Sequence, residues 1–144
     1  MSVFSRYKRA PEGFRQIVEL WEATSASKRQ KMIDIGKVED PEYTARILQF
    51  TFSWEDIVKL PDMELAEVVA KTPAKIVGYA LQGLPEQVAV RFLKCASPPV
   101  AAEAKEFMTA KIGPREIDGA RLKIITVARE CERGGKVKTK RIAL

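Results

Sequence analysis

At 144 residues with 46% hydrophobic content, the chain can bury the core of one domain or two small ones, and no apolar run approaches the ~20 residues a membrane span needs. The net charge of +6 misleads: residues 1–11 and 135–144 hold seven basic side chains and no acid, which leaves residues 12–134 near −1. The chain has no His and no Asn, which removes the commonest general base, most zinc sites and every N-glycosylation acceptor.

The opening MSVFSRYKRAPEG is basic with no apolar run behind it. It does not read as a secretory signal or as a tag remnant, and residues 1–11 are expected to be a solvated basic tail. Phe14, Ile17, Val18 and Trp21 stand at i, i+3, i+4 and i+7, one face of a helix, and Pro11 suits its first turn. Ser27 is placed to cap a second helix carrying Met32 and Ile33. Asp40-Pro41 signals a third start, N-cap then N1, with Tyr43, Ile47 and Leu48 on one side.

From residue 51 the punctuation becomes regular. Short helical patterns follow at Trp54–Leu60, after Pro61-Asp62, after Thr72-Pro73 up to Gly83, after Pro85, and from Ser97-Pro98-Pro99 to about Ile112. Gly113-Pro114 stops that run. A last helix is expected from about Glu116 to Arg133, with Ile117, Ala120, Ile124, Ala128 and Cys131 on one stripe, ended by Gly134-Gly135. The remainder, KVKTKRIAL, reads equally as a short edge strand or a disordered basic tail. Each helix is too short to stand alone, so each must bury its stripe on the next. The expectation is an all-α, armadillo-like stack of short helices with a C-terminal multi-helix subdomain, and no repeat of constant period.

No reaction centre emerges. The Gly-rich loops that cradle phosphates are absent. Glu55-Asp56 falls in a first helical turn and reads as capping, not as a tuned acid–base pair. Glu103 and Glu106 read as solvated charges on a helix face. Cys95 and Cys131 fall in apolar helical patterns and read as core thiols. Phe14, Trp21 and Trp54 fit core stripes. Phe107 lies at the edge of the Ala101, Ala104, Met108, Ile112 stripe, either closing the core or standing exposed as a contact residue. Neither enzyme activity nor a cofactor is expected.

The elements Trp54-Glu55-Asp56-Ile57, Ala80-Leu81-Gln82-Gly83, Arg91-Phe92-Leu93 and Gly113-Pro114-Arg115 come in an order that resembles the C-terminal domain of the bacterial flagellar motor switch protein FliG. That family shows a Phe-Glu-Asp-Leu-like opening, an Ala-Leu-Lys-Gly turn, a Phe-Leu pair and a Gly-Pro-Val-Arg element. The likeness covers about residues 51–138, and residues 12–50 resemble the last helices of the family's middle domain. It implies a cytoplasmic rotor component, peripheral at the flagellar basal body, that meets neighbouring switch proteins and the cytoplasmic region of the stator. It also implies a flexible hinge at Thr51, Phe52, Ser53 and Trp54. Family members are more than twice this length, and the resemblance does not reach their N-terminal domain, which attaches to the membrane ring.

The chain departs from the pattern at the charges. Gln82 stands for the Lys of the Ala-Leu-Lys-Gly turn, Pro99 for an early Arg of the torque helix, and Glu106-Phe107 for its acidic pair. Glu106 and Arg115 are therefore the expected stator-type contacts, with Arg91, Lys94 and Phe107 as weaker candidates. Phe14, Ile17, Val18, Trp21, Ile47 and Leu48 are expected to serve packing or self-association, since three short helices cannot cover them alone. A rotor-switch-like structural protein with weakened stator-facing charge is the leading reading. A soluble regulatory adaptor using the same stack is the alternative. A nucleic-acid or anionic-membrane binder working through the basic tails is the least favoured, because the folded part is nearly neutral.

Overall fold

The computed structural model describes residues 4–142, so residues 1–3 and 143–144, at the outer ends of the two basic tails, lie outside the described residues. Ten helices and no strand occur among the described residues: α1 (Ser5–Arg9), α2 (Gly13–Ala23), α3 (Ala26–Glu39), α4 (Pro41–Phe50), α5 (Trp54–Val58), α6 (Asp62–Ala70), α7 (Ala74–Leu81), α8 (Glu86–Lys94), α9 (Pro98–Met108) and α10 (Pro114–Arg133). The all-α stack of short helices is the observed fold.

Among the described residues they form two compact units, residues 4–52 with 140–142 and residues 53–139. In the first, α2 packs on α1 and α4, and α3 packs on α4. Its core gathers Phe4, Ile17, Val18, Trp21, Ile33, Ile47 and Ile142. Phe14 makes edge contacts with Tyr43 and Phe50 at 5.9 and 5.6 Å. Asp40 caps α4, accepting from the Tyr43 N–H at 3.2 Å, as the Asp-Pro signal requires. Ser25, not Ser27, occupies the N-cap of α3, and it makes no side-chain cap bond.

In the second unit α10 packs on α5, α6 and α7, α7 packs on α9, and α8 bridges α6 and α9. Its core includes Ile57, Leu65, Val77, Phe92, Ile124 and Ala128. Each large side chain so buried contributes about 1.5–3 kcal/mol. Trp54 stacks on Phe92 at 5.8 Å. Ser53 and Asp56 form a reciprocal capping box, which explains the acidic first turn. Gly78 allows α7 and α9 to touch: a Cβ there would stand 2.5 Å from the Ala104 carbonyl oxygen and 2.6 Å from the Phe107 Cβ. Helix α9 ends at Met108, short of Ile112, and α10 begins at Pro114, two residues before the expected Glu116.

The two ends are not solvated tails. Phe4 is 1% exposed and precedes a helix that charge counting overlooked. Its ring meets Trp21 at 6.3 Å and Tyr43 at 5.1 Å. At the other end Val137 and Ile142 are buried, 0% and 5% exposed, and no strand forms among the described residues. Gly135, with φ of +78°, turns the chain off α10, and the Lys136 and Val137 N–H groups both reach the Cys131 carbonyl. A few apolar side chains among basic residues fix these segments, and the charge count does not register them.

Candidate functional site

The expected contact residues lie in the second unit, and its helix ends decide which remain available. A helix leaves its last carbonyls without internal partners. Here three side chains from other elements supply the donors. Arg91 on α8 reaches the end of α5: Nη1 donates to the Val58 carbonyl at 2.7 Å, Nη2 to that of Leu60, and Nε to Asp62 Oδ1 at 3.0 Å. Arg121 on α10 does the same for α7, with Nε to Ala80 at 3.0 Å and Nη2 to Gln82 at 2.8 Å. Its guanidinium lies 5.3 Å from the Trp54 ring centroid. Burial draws its pKa below the ordinary value, with Asp118 opposing. Gln82 then closes α9, donating to the carbonyls of Phe107 at 3.0 Å and Ala110 at 2.9 Å.

These bonds bear on two of the weaker candidates. The Arg91 guanidinium is engaged at the end of α5. Phe107 is half-buried and sets its ring edge-on to Tyr79 at 5.7 Å, so it closes the α7–α9 seam. Gln82 has a structural task, since both bonds from its amide nitrogen hold the end of α9. The remaining candidates are placed as exposed residues: Glu106 on α9, Arg115 in the first turn of α10 and Lys94 at the end of α8. Pro98 and Pro99 occupy the first turn of α9, also exposed.

In the first unit Ile17, Val18, Trp21 and Ile47 are buried, while Phe14 and Leu48 are half-buried. The expectation that this set stays uncovered left out Phe4 and Ile142, which complete the core. The exposed apolar side chains are instead Leu20, Ile35 and Val38, 42%, 50% and 85% exposed. Leu20 and Ile35 border a groove of about 270 Å³ with Tyr7 and Met32.

At residues 51–54 the backbone is held closely. Thr51 Oγ1 donates to the Ile47 carbonyl at 2.6 Å, and the Phe52 N–H donates to Glu22 Oε2 at 2.8 Å. The division between the units falls between Phe52 and Ser53. Glu22, 2% exposed, was not singled out by sequence, nor was Arg121. Their partners lie 30 to 41 residues away, beyond any local pattern.

Among the described residues no cluster of three His, Cys, Asp or Glu could hold a metal, and no helix is long and apolar enough to cross a membrane. Burial raises both thiol pKa values, with Asp62 adding to the rise at Cys95. Neither is set up as a nucleophile.

The family model described as the FliG C-terminal domain matches residues 37–138. The flagellar motor switch protein FliG of Aquifex aeolicus is 30% identical over 129 residues, 88% of this chain and 39% of that protein. That of Thermotoga maritima is 26% identical over 128 residues, 87% and 38% of the two chains. The crystal structure of FliG residues 86–343 from H. pylori shares the fold at a TM-score of 0.65 and 22% identity, over 95% of this chain and 66% of that one. Full-length FliG from Aquifex aeolicus superposes at 0.54 with 26% identity, over 88% and 40%. The chain thus spans about two fifths of the length of the curated relatives it matches. Since the matched segment runs from late α3 through α10 and into the residues after it, the chain belongs to the FliG family, by way of that family's C-terminal domain.

Proposed function

We propose that this protein is a non-catalytic, rotor-switch-like structural and interaction protein of a flagellar-type motor, at the cytoplasmic face of the basal body. The match of the FliG C-terminal domain across residues 37–138 carries this reading. Its partners are other rotor switch proteins and the cytoplasmic region of a stator, and it needs no cofactor. Glu106 and Arg115 are the stator-type contacts, with Lys94 as an additional charge. Residues 51–54 act as the hinge, a reading supported by the unit division at 52–53. The stator contact is weakened, since Gln82 and Phe107 serve helix ends and seams and Pro99 carries no charge. Exposed ion pairs are each worth about 0–1 kcal/mol, so the deficit falls on steering and register.

The test is a chimera that fuses the N-terminal part of a motile relative ahead of residues 1–144, so that Phe4 stays in the first unit's core, and scores rotation. Rotation only after Gln82→Lys and Pro99→Arg supports the charge argument. Rotation without them shows the charges to be dispensable. Phe107 is left alone, because its ring packs against Tyr79. No rotation in either case favours a second reading, a regulatory adaptor that docks a partner or a second copy through Leu20, Ile35 and Val38. Light scattering on the wild type and on Val38→Glu checks that face: an oligomer that the substitution splits supports docking, and a monomeric wild type removes self-association.

A further inference from the structure

Residues 140–142 belong to the first unit although α5 to α10 separate them from it in sequence. The chain therefore passes between the units twice, at 52–53 and at 139–140. The returning segment is anchored at both ends. Ile142 is 5% exposed within the first unit's core, and its carbonyl accepts from Arg15 Nη2 at 3.1 Å. Lys140 has φ of +54°, a left-handed conformation that non-glycine residues seldom adopt, and its Nζ donates to the Thr51 carbonyl at 2.8 Å. Thr51 is the residue before the outgoing Phe52, whose N–H is held by the buried Glu22 carboxylate. On the far side of the return, the Thr139 N–H is held by Glu64 of α6.

We infer that Lys140, Thr51 and Glu22 form a clasp in which the returning segment fastens the point where the chain leaves the first unit. The lysine ties the way out to the way back, and the carboxylate fixes the next amide. A charge-assisted bond to a half-buried carbonyl is among the stronger single hydrogen bonds. The left-handed bend at Lys140 supports the assignment, because an ordered non-glycine residue in that region needs surroundings that hold it there. The clasp deepens the hinge reading of residues 51–54 and rests on it: it makes the freedom of the 52–53 joint depend on residues 140–142, which lie beyond the end of the family match at 138.

Hydrogen exchange on the full chain tests this, independently of rotation. Lys140→Gly removes the ammonium while leaving a residue that accepts positive φ without strain, and Lys140→Arg keeps a cation of similar reach. The expected result is about tenfold faster exchange of the Phe52 amide in Lys140→Gly, unchanged exchange in α2 to α4 and α6 to α10, and recovery in Lys140→Arg. Unchanged exchange at Phe52 in Lys140→Gly overturns the clasp. So does an equal rise across residues 13–50, which would make Lys140 a general support of the first unit. If the clasp holds and the chimera does not rotate, the motor reading fails and the clasp stands.

Discussion

The side-chain amide of Gln82 donates to the carbonyl oxygen of Phe107 at 3.0 Å. The bond gives the Gln82 side chain a structural task at the end of α9. With the second bond to Ala110 at 2.9 Å, one nitrogen satisfies two carbonyls at the end of α9. Gln82→Ala should lower the stability of the second unit by about 1–2 kcal/mol. Gln82→Lys should cost less than half as much, since an ammonium also suits a helix C-terminus. Urea unfolding followed by Trp54 fluorescence, in a Trp21→Phe background, measures both. Equal losses for the two variants would mean that the planar amide is required.

Arg91 makes a sharper demand on geometry. Three of its nitrogens act in different directions, toward Val58, Leu60 and Asp62. An ammonium cannot reproduce that fork. Arg91→Ala is expected to cost about 2–3 kcal/mol, and Arg91→Lys to recover less than half of it. Full recovery by lysine would show that only the attraction to Asp62 matters.

The stack and most helix starts were legible because Pro, Gly and Asp punctuate them locally. Asp40-Pro41 marks the start of α4 where it occurs, whereas Gly113-Pro114, read as a stop, opens α10 two residues before the expected Glu116. The side chains that tie helix ends together were not legible, because a partner 25 to 41 residues away leaves no periodic trace. The tails were misjudged for a related reason. Phe4 and Ile142 are single apolar residues in basic surroundings, and only the folded chain brings them beside Trp21. For the candidate site, sequence likeness supplied the positions, but whether Arg91 and Phe107 were free depended on that same long-range packing.

Gly78 tests the seam between α7 and α9. A Cβ added there would meet the Ala104 carbonyl oxygen at 2.5 Å, so backbone must move to admit it. Gly78→Ala should destabilise the second unit by about 1–3 kcal/mol, despite alanine's better helix propensity. A gain in stability would show that the two helices separate easily. Phe107→Asp should cost at least as much, by removing the Tyr79 contact and bringing a carboxylate into the seam.

Asp40 should contribute to the acid sensitivity of the first unit. Its hydrogen bond from Lys8, then that from the Tyr43 N–H, hold its pKa below the ordinary carboxylate value. A depressed folded pKa contributes stability that is fully present above the unfolded value, about 3.9, and is lost as pH falls through the folded one. Stability of the first unit, read by Trp21 fluorescence, should therefore fall below about pH 4. In Asp40→Asn that acid limb should be flatter. Superimposable limbs in the two proteins would assign the acid sensitivity to other carboxylates.

The last prediction concerns Arg129 and Glu132, whose side chains are 3% and 2% exposed and meet at 2.8 Å. Helix electrostatics do not account for the pair: Glu132 lies in the last turn of α10, where a carboxylate faces the negative end of the dipole. Burying both ions carries a desolvation cost that their mutual attraction offsets only if the geometry is good and other bonds satisfy the remaining atoms. Removing one partner should therefore hurt more than removing both. Arg129→Met is expected to cost about 3–5 kcal/mol, because it takes the guanidinium away from a buried carboxylate. Arg129→Met with Glu132→Leu should recover at least half of that loss. The double-mutant cycle, run by urea unfolding with Trp54 as the reporter, gives the coupling directly. A single-mutant cost under about 1 kcal/mol would place the pair in the range of exposed bridges, with water reaching the end of α10. Additive losses would mean that the two residues are held by other neighbours and that the ion pair does not organise this part of the core.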